Sequence, residues 1–384
     1  MPVPFDSGKP ATLKRLDGPD RLPTLRMSFN FISMLVHTLF LAALTSPVSP
    51  STADTLPVVR EMWAMGTRLV IAVEAVHEGS GLSWSERIAS EIRSVERVLS
   101  TWDSGSQLSE LNEAIPGSVV ETGVELTEWL ARASVISEAT GRAFDPTVGA
   151  LIDAWDLRGH GRHPSSREIE AARAASGPTA VWIDPSNGTV TRWQDRAWID
   201  AGGFGKGAAL LEVSRSVGAD VVEAMVDLGG QLWLSPGSAP RTVRVAHPAD
   251  RTRTIGSFRL DPGHSVATSG TSERNVTVGG DRFGHIIDPR TGDTSPPWGS
   301  VSVVSSDPLE ADALATALYV MGPDEGAKWA HAHDGVAALF LIDTPHGLCA
   351  QWTSTMQPLL NRNPDAPTST PFKIISNELC NSGF

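Results

Sequence analysis

The sequence predicts an α+β fold, and two observations support that prediction. Segments with strand-like alternation and segments with helical spacing are mixed along the chain without a regular strand–helix–strand repeat, which disfavours a doubly wound parallel sheet. The 384 residues include 41% hydrophobic and 20% charged residues, ordinary values for a globular protein with a sizeable core. The net charge of −13 repels phosphate backbones and therefore disfavours nucleic acid as a partner.

The N-terminal region is typical of a targeting segment. Residues 1–26 are expected to be a disordered extension, and the apolar stretch Met27–Leu44 follows the basic residue Arg26. A basic segment, a short apolar segment and a small-residue exit predict a secretory signal peptide over 27–53. An uncleaved inner-membrane anchor is the alternative, because the apolar stretch is close to the minimum that spans a bilayer. We therefore expect an exported, periplasmic protein.

Local patterns of apolar residues predict the elements of the first half. Alternation in Arg68–Val73 predicts a strand after a glycine turn, and Ile88, Ile92 and Val95 recur at helical spacing. The predicted elements are a strand within 62–76, helices over 83–100, 124–140 and 165–176, and strands over 179–183, 188–193 and 197–200.

In the second half, strands dominate until a long helical stretch. A glycine-rich turn leads into a helix predicted over 205–217. The later predictions are strands within 223–234, 241–246, 255–260, 274–278 and 300–304, helices over 308–321 and 323–333, and a strand over 336–342. One folded domain is therefore expected over 58–360, with a polar, proline-rich tail over 361–384.

The segment Ile199–Gly207, IDAGGFGKG, is the first that could carry chemistry. A predicted strand delivers Asp200, and glycines then open a helix whose free N–H groups, with Lys206 beside them, could hold an anion. It is not a Walker P-loop, because Asp200 replaces the first required glycine and no Ser or Thr follows the lysine. A plain tight turn between strand and helix remains the alternative.

A second candidate lies on the helix predicted over 308–321. Asp312 and Thr316 are four residues apart, so both side chains lie on one side of that helix. A carboxylate and a hydroxyl are hard oxygen ligands, which suit magnesium better than zinc. Asp312 could instead act as a simple cap in the first turn, where carboxylates are favoured.

Two further stretches contain polar residues that packing does not explain. Asp145 precedes a proline in FDPTVG, where it could bind a ligand or serve as the N-cap of a helix. His285 opens HIIDPRTG, and a side chain that titrates near neutral pH suits proton transfer. A structural histidine is the alternative.

Taken together and in order, the motifs resemble those of the FAD:protein FMN transferase family, also called the ApbE family. The match runs in order across residues 62–342. The matching segments are MGTRL, STWDSGSQLSELN, FDPTVGALIDAW, IDAGGFGKGAA, VDLGGQLW, VATSG, HIIDPRTG and EADALATALYVMG. The resemblance implies an ApbE-like α+β fold of mixed sheets and packed helices, with a flavin cleft between two intimate lobes. It also assigns residues 58–360 to the catalytic domain.

The resemblance further implies an activity and a set of site residues. FAD would be the substrate, Mg²⁺ (or Mn²⁺) the metal, and FMN would pass to a threonine hydroxyl of an exported acceptor protein as AMP leaves. A membrane redox-complex subunit is the implied acceptor. The implied metal ligands are Gly203, Asp312, Ala315 and Thr316, and the implied catalytic residues are His285, Asp200 and Lys206. The implied FAD-binding residues are Met65, Trp102, Ala143, Phe144, Asp145, Asp200, Lys206 and Ile287.

The chain departs from the family pattern in three places, and some alternatives stay open. Trp102 stands where tyrosine is usual, and SERN at 272–275 replaces the usual DYRN. A third departure is Gly203, which replaces a common Ala or Ser and is harmless if only its carbonyl coordinates. A FAD diphosphatase that uses water as the nucleophile, or a flavin-binding protein without catalysis, would share these motifs. Cys349 and Cys380 could form a disulfide after export or remain free thiols.

Overall fold

The computed structural model describes residues 57–361 except 78, 271–274, 279–280 and 334. Its strands are β1 (Val58–Ala64), β2 (Thr67–Ala75), β3 (Val119–Glu121), β4 (Val181–Asp184), β5 (Thr189–Arg192), β6 (Val221–Leu228), β7 (Gln231–Leu234), β8 (Arg241–His247), β9 (Asp250–Leu260), β10 (Ser265–Gly270), β11 (Asn275–Val278), β12 (Asp281–Gly284), β13 (Gly299–Ser305), β14 (Ala337–Thr344) and β15 (Gly347–Trp352). Its helices are α1 (Ser80–Leu99), α2 (Gln107–Glu113), α3 (Gly123–Ala139), α4 (Gly149–Trp155), α5 (Ser166–Ala174), α6 (Gly205–Ser216), α7 (Pro308–Ala332) and α8 (Gln357–Asn361).

An eight-stranded sheet organises the molecule, in the order β1–β2–β6–β7–β10–β13–β14–β15. Each neighbouring pair in this sheet is antiparallel. A three-stranded sheet β3–β5–β4 and the ribbons β8–β9 and β11–β12 complete the strand pairing of the described residues. The α+β prediction is therefore confirmed.

Both faces of the large sheet are covered, and β14 shows this most clearly. Helices α1, α6 and α7 pack on one face, while α8 and the β8–β9 ribbon contribute to the apolar cluster on the other. Because successive side chains of a strand point to opposite faces, β14 divides its apolar residues between two cores. Ala338, Phe340 and Ile342 belong to the helical side, and Ala337, Leu339 and Leu341 to the other.

The long predicted helices are confirmed, with small shifts at their ends. Helix α5 begins after Ser165, whose side chain forms a capping box with Glu168. Gly322 has a φ of 76° inside α7 and is followed by Pro323, so the two helices predicted over 308–333 meet at a kink. The segment predicted as one strand over 223–234 is a hairpin, because Gly229 and Gly230 both have positive φ.

The strand predicted over 197–200 is wrong. Its backbone groups form hydrogen bonds with a side chain and a loop instead of a neighbouring strand. The Asn112 side chain donates to the Ile199 carbonyl and accepts from the Ile199 N–H, and the Asp200 N–H donates to the Pro146 carbonyl at 2.8 Å. The apolar run therefore buries Ile199 without sheet pairing. Strands β1, β3, β10, β12 and β15 and the short helices α2 and α8 were not predicted, and a helix near α4 was only an alternative with Asp145 as its cap.

Several predictions concern residues outside the described part of the chain. The disordered extension, the signal peptide over 27–53, the tail beyond 361 and residues 272–274 of the SERN segment all lie there. Cys349 in β15 is disulfide-bonded, and Cys380 also lies outside the described residues. Among the helices described, none combines the length and apolar character needed to cross a membrane.

Candidate active site

Helices α6 and α7 cross in backbone contact at Gly207. A Cβ on this glycine would lie 2.5 Å from the Pro308 carbonyl oxygen and 2.6 Å from the Leu309 Cα. Only glycine permits so close an approach of two helices. We call Lys206, Gly207, Pro308 and Asp312 the α6–α7 junction.

Asp312 connects the two helices through its carboxylate. The residue is only 4% exposed, and it accepts from Lys206 Nζ at 3.2 Å and from the Gly207 N–H at 3.0 Å. A buried carboxylate is costly unless it is paired and hydrogen-bonded, and here it has both kinds of partner. The junction therefore places one negative and one positive group beside the start of α6.

The glycine-rich turn lies against the same face of α7. A Cβ on Gly203 would be 3.4 Å from Thr316 Oγ1 and 3.0 Å from a ring carbon of Phe144. The Thr316 hydroxyl points back along its helix, 3.4 Å from the Asp312 carbonyl oxygen, and Ala315 beside it is fully buried. The structure thus brings Gly203, Asp312 and Thr316 together from segments about a hundred residues apart.

Asp200 shapes the entry to this turn. One carboxylate oxygen accepts from the Gly202 N–H at 2.8 Å, and the other accepts from Arg158 Nη2 at 2.5 Å. Ile199 just before it is held on both sides by Asn112, at 2.9 and 2.8 Å. Asp200 therefore stabilises the conformation of the turn.

Met65 borders the turn from the β1–β2 hairpin. Its φ of 50° is left-handed, which is uncommon for a residue other than glycine. Its N–H donates to Glu96 Oε1 on α1 at 2.7 Å, and its Cε lies 3.5 Å from where a Cβ on Gly205 would be. The Met65 side chain thus reaches the first residue of α6.

The FDPT stretch contributes mainly buried groups. Ala143 and Phe144 belong to the helical-side core, and Phe144 meets Phe204 edge to face at 6.4 Å between centroids. Asp145 is buried, accepting from Arg142 at 2.7 Å and from Thr147 at 2.6 Å. Its alternative role as an N-cap is wrong, since α4 begins only at Gly149.

Trp102 lies on the exposed side of the site, with 72% of its surface accessible. The Arg158 guanidinium lies 4.8 Å from the centroid of the Trp102 ring and 4.4 Å from that of Trp198. Arg158 also donates to the Thr101 hydroxyl at 2.6 Å. We call Trp102, Arg158 and Trp198 the arginine–aromatic clamp.

The HIIDP segment follows β12 as a loop. His285 is half-buried, and its role as a proton acceptor stays a prediction. Ile287 is buried in a small cluster with α4 and α5 and makes a single bridge to Thr294. Its place in FAD binding also stays a prediction.

Three polar residues that organise the site, Asn112, Glu96 and Arg158, were not predicted from the sequence. Asn112 lies in the SELN motif. A polar residue at the end of a helical pattern is a sequence signal that could have marked it. Glu96 and Arg158 act through contacts to residues 31 and 42 positions away, and no local pattern marks them.

The family model described as "ApbE family" matches residues 65–340. The chain belongs to the ApbE family.

Two relatives of this ApbE-family chain carry the name FAD:protein FMN transferase. The one from Rhodobacter capsulatus is 31% identical over 307 residues, covering 78% of this chain and 56% of the relative. The chain therefore spans little more than half of that relative's length. The one from Klebsiella pneumoniae (strain 342) is 26% identical over 335 residues, covering 84% of this chain and 94% of the relative.

Solved structures show the same fold. The ApbE protein of Thermotoga maritima superposes with a TM-score of 0.71 at 29% identity, covering 79% of this chain and 99% of that one. The apo flavinyl transferase ApbE of Pseudomonas stutzeri has the same TM-score at 25% identity, covering 82% of this chain and 100% of that one. The ApbE-like fold expected from the motifs is therefore confirmed.

Proposed function

We propose that the chain is a transferase that moves the FMN moiety of FAD to a threonine hydroxyl of an exported acceptor protein, releasing AMP, with Mg²⁺ as the metal. The names of its relatives support the enzyme class and the flavin substrate. The observation that carries the proposal is the meeting of Gly203, Lys206, Asp312 and Thr316 around the start of α6.

The oxygen donors at this meeting point fit a magnesium-type ion. The Asp312 carboxylate and the Thr316 hydroxyl lie on the α7 face that the glycine-rich turn approaches, and the carbonyls of Gly203 and Ala315 would complete the set. This ligand set contains a single carboxylate. It is therefore compatible with the finding that no cluster of three or more His, Cys, Asp or Glu side chains occurs among the described residues. When bound, the ion supplies positive charge that stabilises the diphosphate and the departing AMP.

The chain's own groups have separate tasks in this proposal. The Lys206 ammonium holds the diphosphate, because it presents positive charge to an anion. The N–H groups of Gly205 and Gly207, which the sequence predicted to be free for an anion, donate to the Ala201 carbonyl and to Asp312 instead. His285 accepts the proton of the threonine hydroxyl. The threonine oxygen bonds to the flavin-side phosphorus, the bond from that phosphorus to the bridging oxygen breaks, and AMP leaves with that oxygen.

The acceptor and the compartment belong to the same proposal. The predicted signal peptide over 27–53 supports export to the periplasm. A membrane redox-complex subunit with a flavinylation threonine is the proposed partner. Mn²⁺ would fill the same hard-ligand role as Mg²⁺.

The decisive assay incubates the protein with FAD, Mg²⁺ and a threonine-bearing acceptor, followed by in-gel flavin fluorescence and mass spectrometry. We expect a flavinylated acceptor and AMP; free FMN with AMP and an unmodified acceptor would show a diphosphatase instead. Tight FAD binding without turnover would show a carrier.

The Asp312→Ala variant tests the metal role. We expect flavinylation to fall by at least about a hundredfold, the scale of losing a key electrostatic group in a site. Glu310→Ala is the matched control, because Glu310 lies on the same helix but accepts from Ser305. Covalent flavin that still accumulates at the normal rate in Asp312→Ala would remove the basis for the metal site.

A further inference from the structure

We infer that Arg158 is a positioning residue that fixes the exposed ring of Trp102 relative to Asp200 at the start of the glycine-rich turn. The inference rests on the proposed function, in which Trp102 stacks on the flavin while the turn holds the diphosphate. Nothing in the family motifs assigns a role to Arg158.

The inner end of the clamp is rigid. A Cβ on Gly149 would overlap the indole ring of Trp198, so this ring packs directly on the start of α4. The Trp198 Nε1 also donates to Asp153 Oδ2 at 2.8 Å. Trp198 is therefore held by packing on one side and by a hydrogen bond on the other.

Arg158 transmits this rigidity to the surface. Its guanidinium lies over both the Trp198 ring and the Trp102 ring, at distances suited to cation–π contact with each. In its own plane it donates to the Thr101 carbonyl at 3.2 Å, to the Thr101 hydroxyl at 2.6 Å and to Asp200 at 2.5 Å. The Arg158 guanidinium thus connects Thr101, the residue before Trp102, to the Asp200 carboxylate.

The outer end of the clamp needs such support. Trp102 is 72% exposed, and its backbone N–H donates to the Ser100 hydroxyl at 3.3 Å. This backbone contact does not orient the ring, so the orientation depends on the stacking partner. A ring that turns freely loses conformational entropy when it stacks on a ligand, and a pre-oriented ring does not. Arg158 therefore favours FAD binding more than the chemical step.

Lysine cannot replace this arrangement. Its ammonium is a point charge without a plane, so it cannot stack on the rings and keep the guanidinium's hydrogen bonds to Thr101 and Asp200 at the same time. Arg158→Lys should therefore recover only part of what Arg158→Ala loses. A residue needed only for its charge would be rescued fully.

The experiment measures FAD-dependent flavinylation and the melting temperature of the full chain and its variants. For Arg158→Ala we expect the KM for FAD to rise about tenfold with kcat within about twofold, the scale of losing two exposed cation–π contacts and one preorganised ring. Arg162→Ala is the matched control, since Arg162 lies in the same loop and pairs with Glu168 at 2.7 Å; its KM should not change.

A double-mutant cycle with Trp102→Ala separates positioning from direct contact. If Arg158 acts through Trp102, the Trp102→Ala/Arg158→Ala pair should have a KM within about twofold of Trp102→Ala alone. Multiplicative effects, or an unchanged KM in Arg158→Ala with an active parent, would overturn the inference. A parent protein that neither binds FAD nor modifies an acceptor would overturn the proposed function first, and this inference with it.

Discussion

The α6–α7 junction and the arginine–aromatic clamp serve the same proposed site but are built differently. At the junction two helix backbones touch, and the buried Asp312 has both a lysine and a backbone N–H as partners. In the clamp the contacts are between side chains, and Trp102 is largely exposed. The difference teaches that groups placed for charge stabilisation are supported by the core, whereas the surface that would hold a flat ring depends on a few side chains.

This contrast has an energetic reason. Breaking the contacts of Asp312 would leave its buried carboxylate without partners. The loss of a buried pair costs about 3–5 kcal/mol. Moving Trp102 costs only exposed contacts, each worth about 0.5–1 kcal/mol. Mutations at the junction should therefore affect stability and activity together, and mutations in the clamp should affect binding alone.

Gly207→Ala tests the junction most severely. The new methyl group would meet the backbone of Pro308 and Leu309, so α6 and α7 must separate. We expect a loss of about 3 kcal/mol in the free energy of unfolding, as for strong overpacking, together with loss of flavinylation. Chemical denaturation measures the first effect and the acceptor assay the second.

Gly105→Ala is the control for that experiment, because a Cβ there would be 3.4 Å from Asp103 Oδ1 on an exposed loop. Its unfolding free energy should stay within about 0.5 kcal/mol of the parent value. If Gly207→Ala were equally mild, the tight crossing would not be what holds the junction.

Glu96 tests a contact of intermediate kind, because a side chain holds a backbone group. Removing its acceptor in Glu96→Ala leaves the left-handed Met65 without its 2.7 Å hydrogen bond. We expect a loss of about 1–2 kcal/mol in unfolding free energy and weaker FAD binding. Glu96→Gln keeps an acceptor oxygen and should retain most of both, as measured by thermal melts and flavin titration. Equal losses in the two variants would show that the charge, and not the acceptor, matters.

We expect the smallest effect at Asp227, a carboxylate whose burial can be compared with that of Asp312. Burial raises the pKa of Asp227 above its ordinary value, although the Gly230 N–H donates to it at 2.8 Å and Arg68 lies near. The folded state therefore keeps its proton to higher pH than the unfolded state. The stability that this proton contributes is present at low pH and is lost as the pH rises through the folded-state pKa.

Asp227→Asn removes this titration while keeping an oxygen that can accept from Gly230. We expect the variant to be about 0.5 kcal/mol more stable than the parent at pH 7, with a flatter stability profile above pH ~4. Denaturant unfolding across this pH range measures both. A variant that is less stable at neutral pH would show that the charge of Asp227 has a partner that outweighs its burial.

Much of the fold could be predicted from the sequence because its long elements have strong local patterns. Helices α1, α3, α6 and α7 carry apolar residues in the right period or follow glycine and capping signals. The segment 197–200 has an equally apolar pattern but bonds to Asn112 and Pro146, which lie far away in the chain. The local pattern predicts that Ile199 is buried. It does not predict which groups form hydrogen bonds with the backbone of this segment.

The same division applies to the site. The chemistry of the residues was determined by the sequence alone: hard oxygen donors on one helical face, a glycine-rich helix start with a lysine, and an ordered set of motifs that resembles one family. Only the tertiary structure decided that Gly207 lets α6 touch α7, that Asp312 is shared between them, and that Arg158 joins Trp102 to Asp200. The physical reason is that residue type and period are local properties, whereas the close approach of two backbones depends on how the whole sheet and its helices pack.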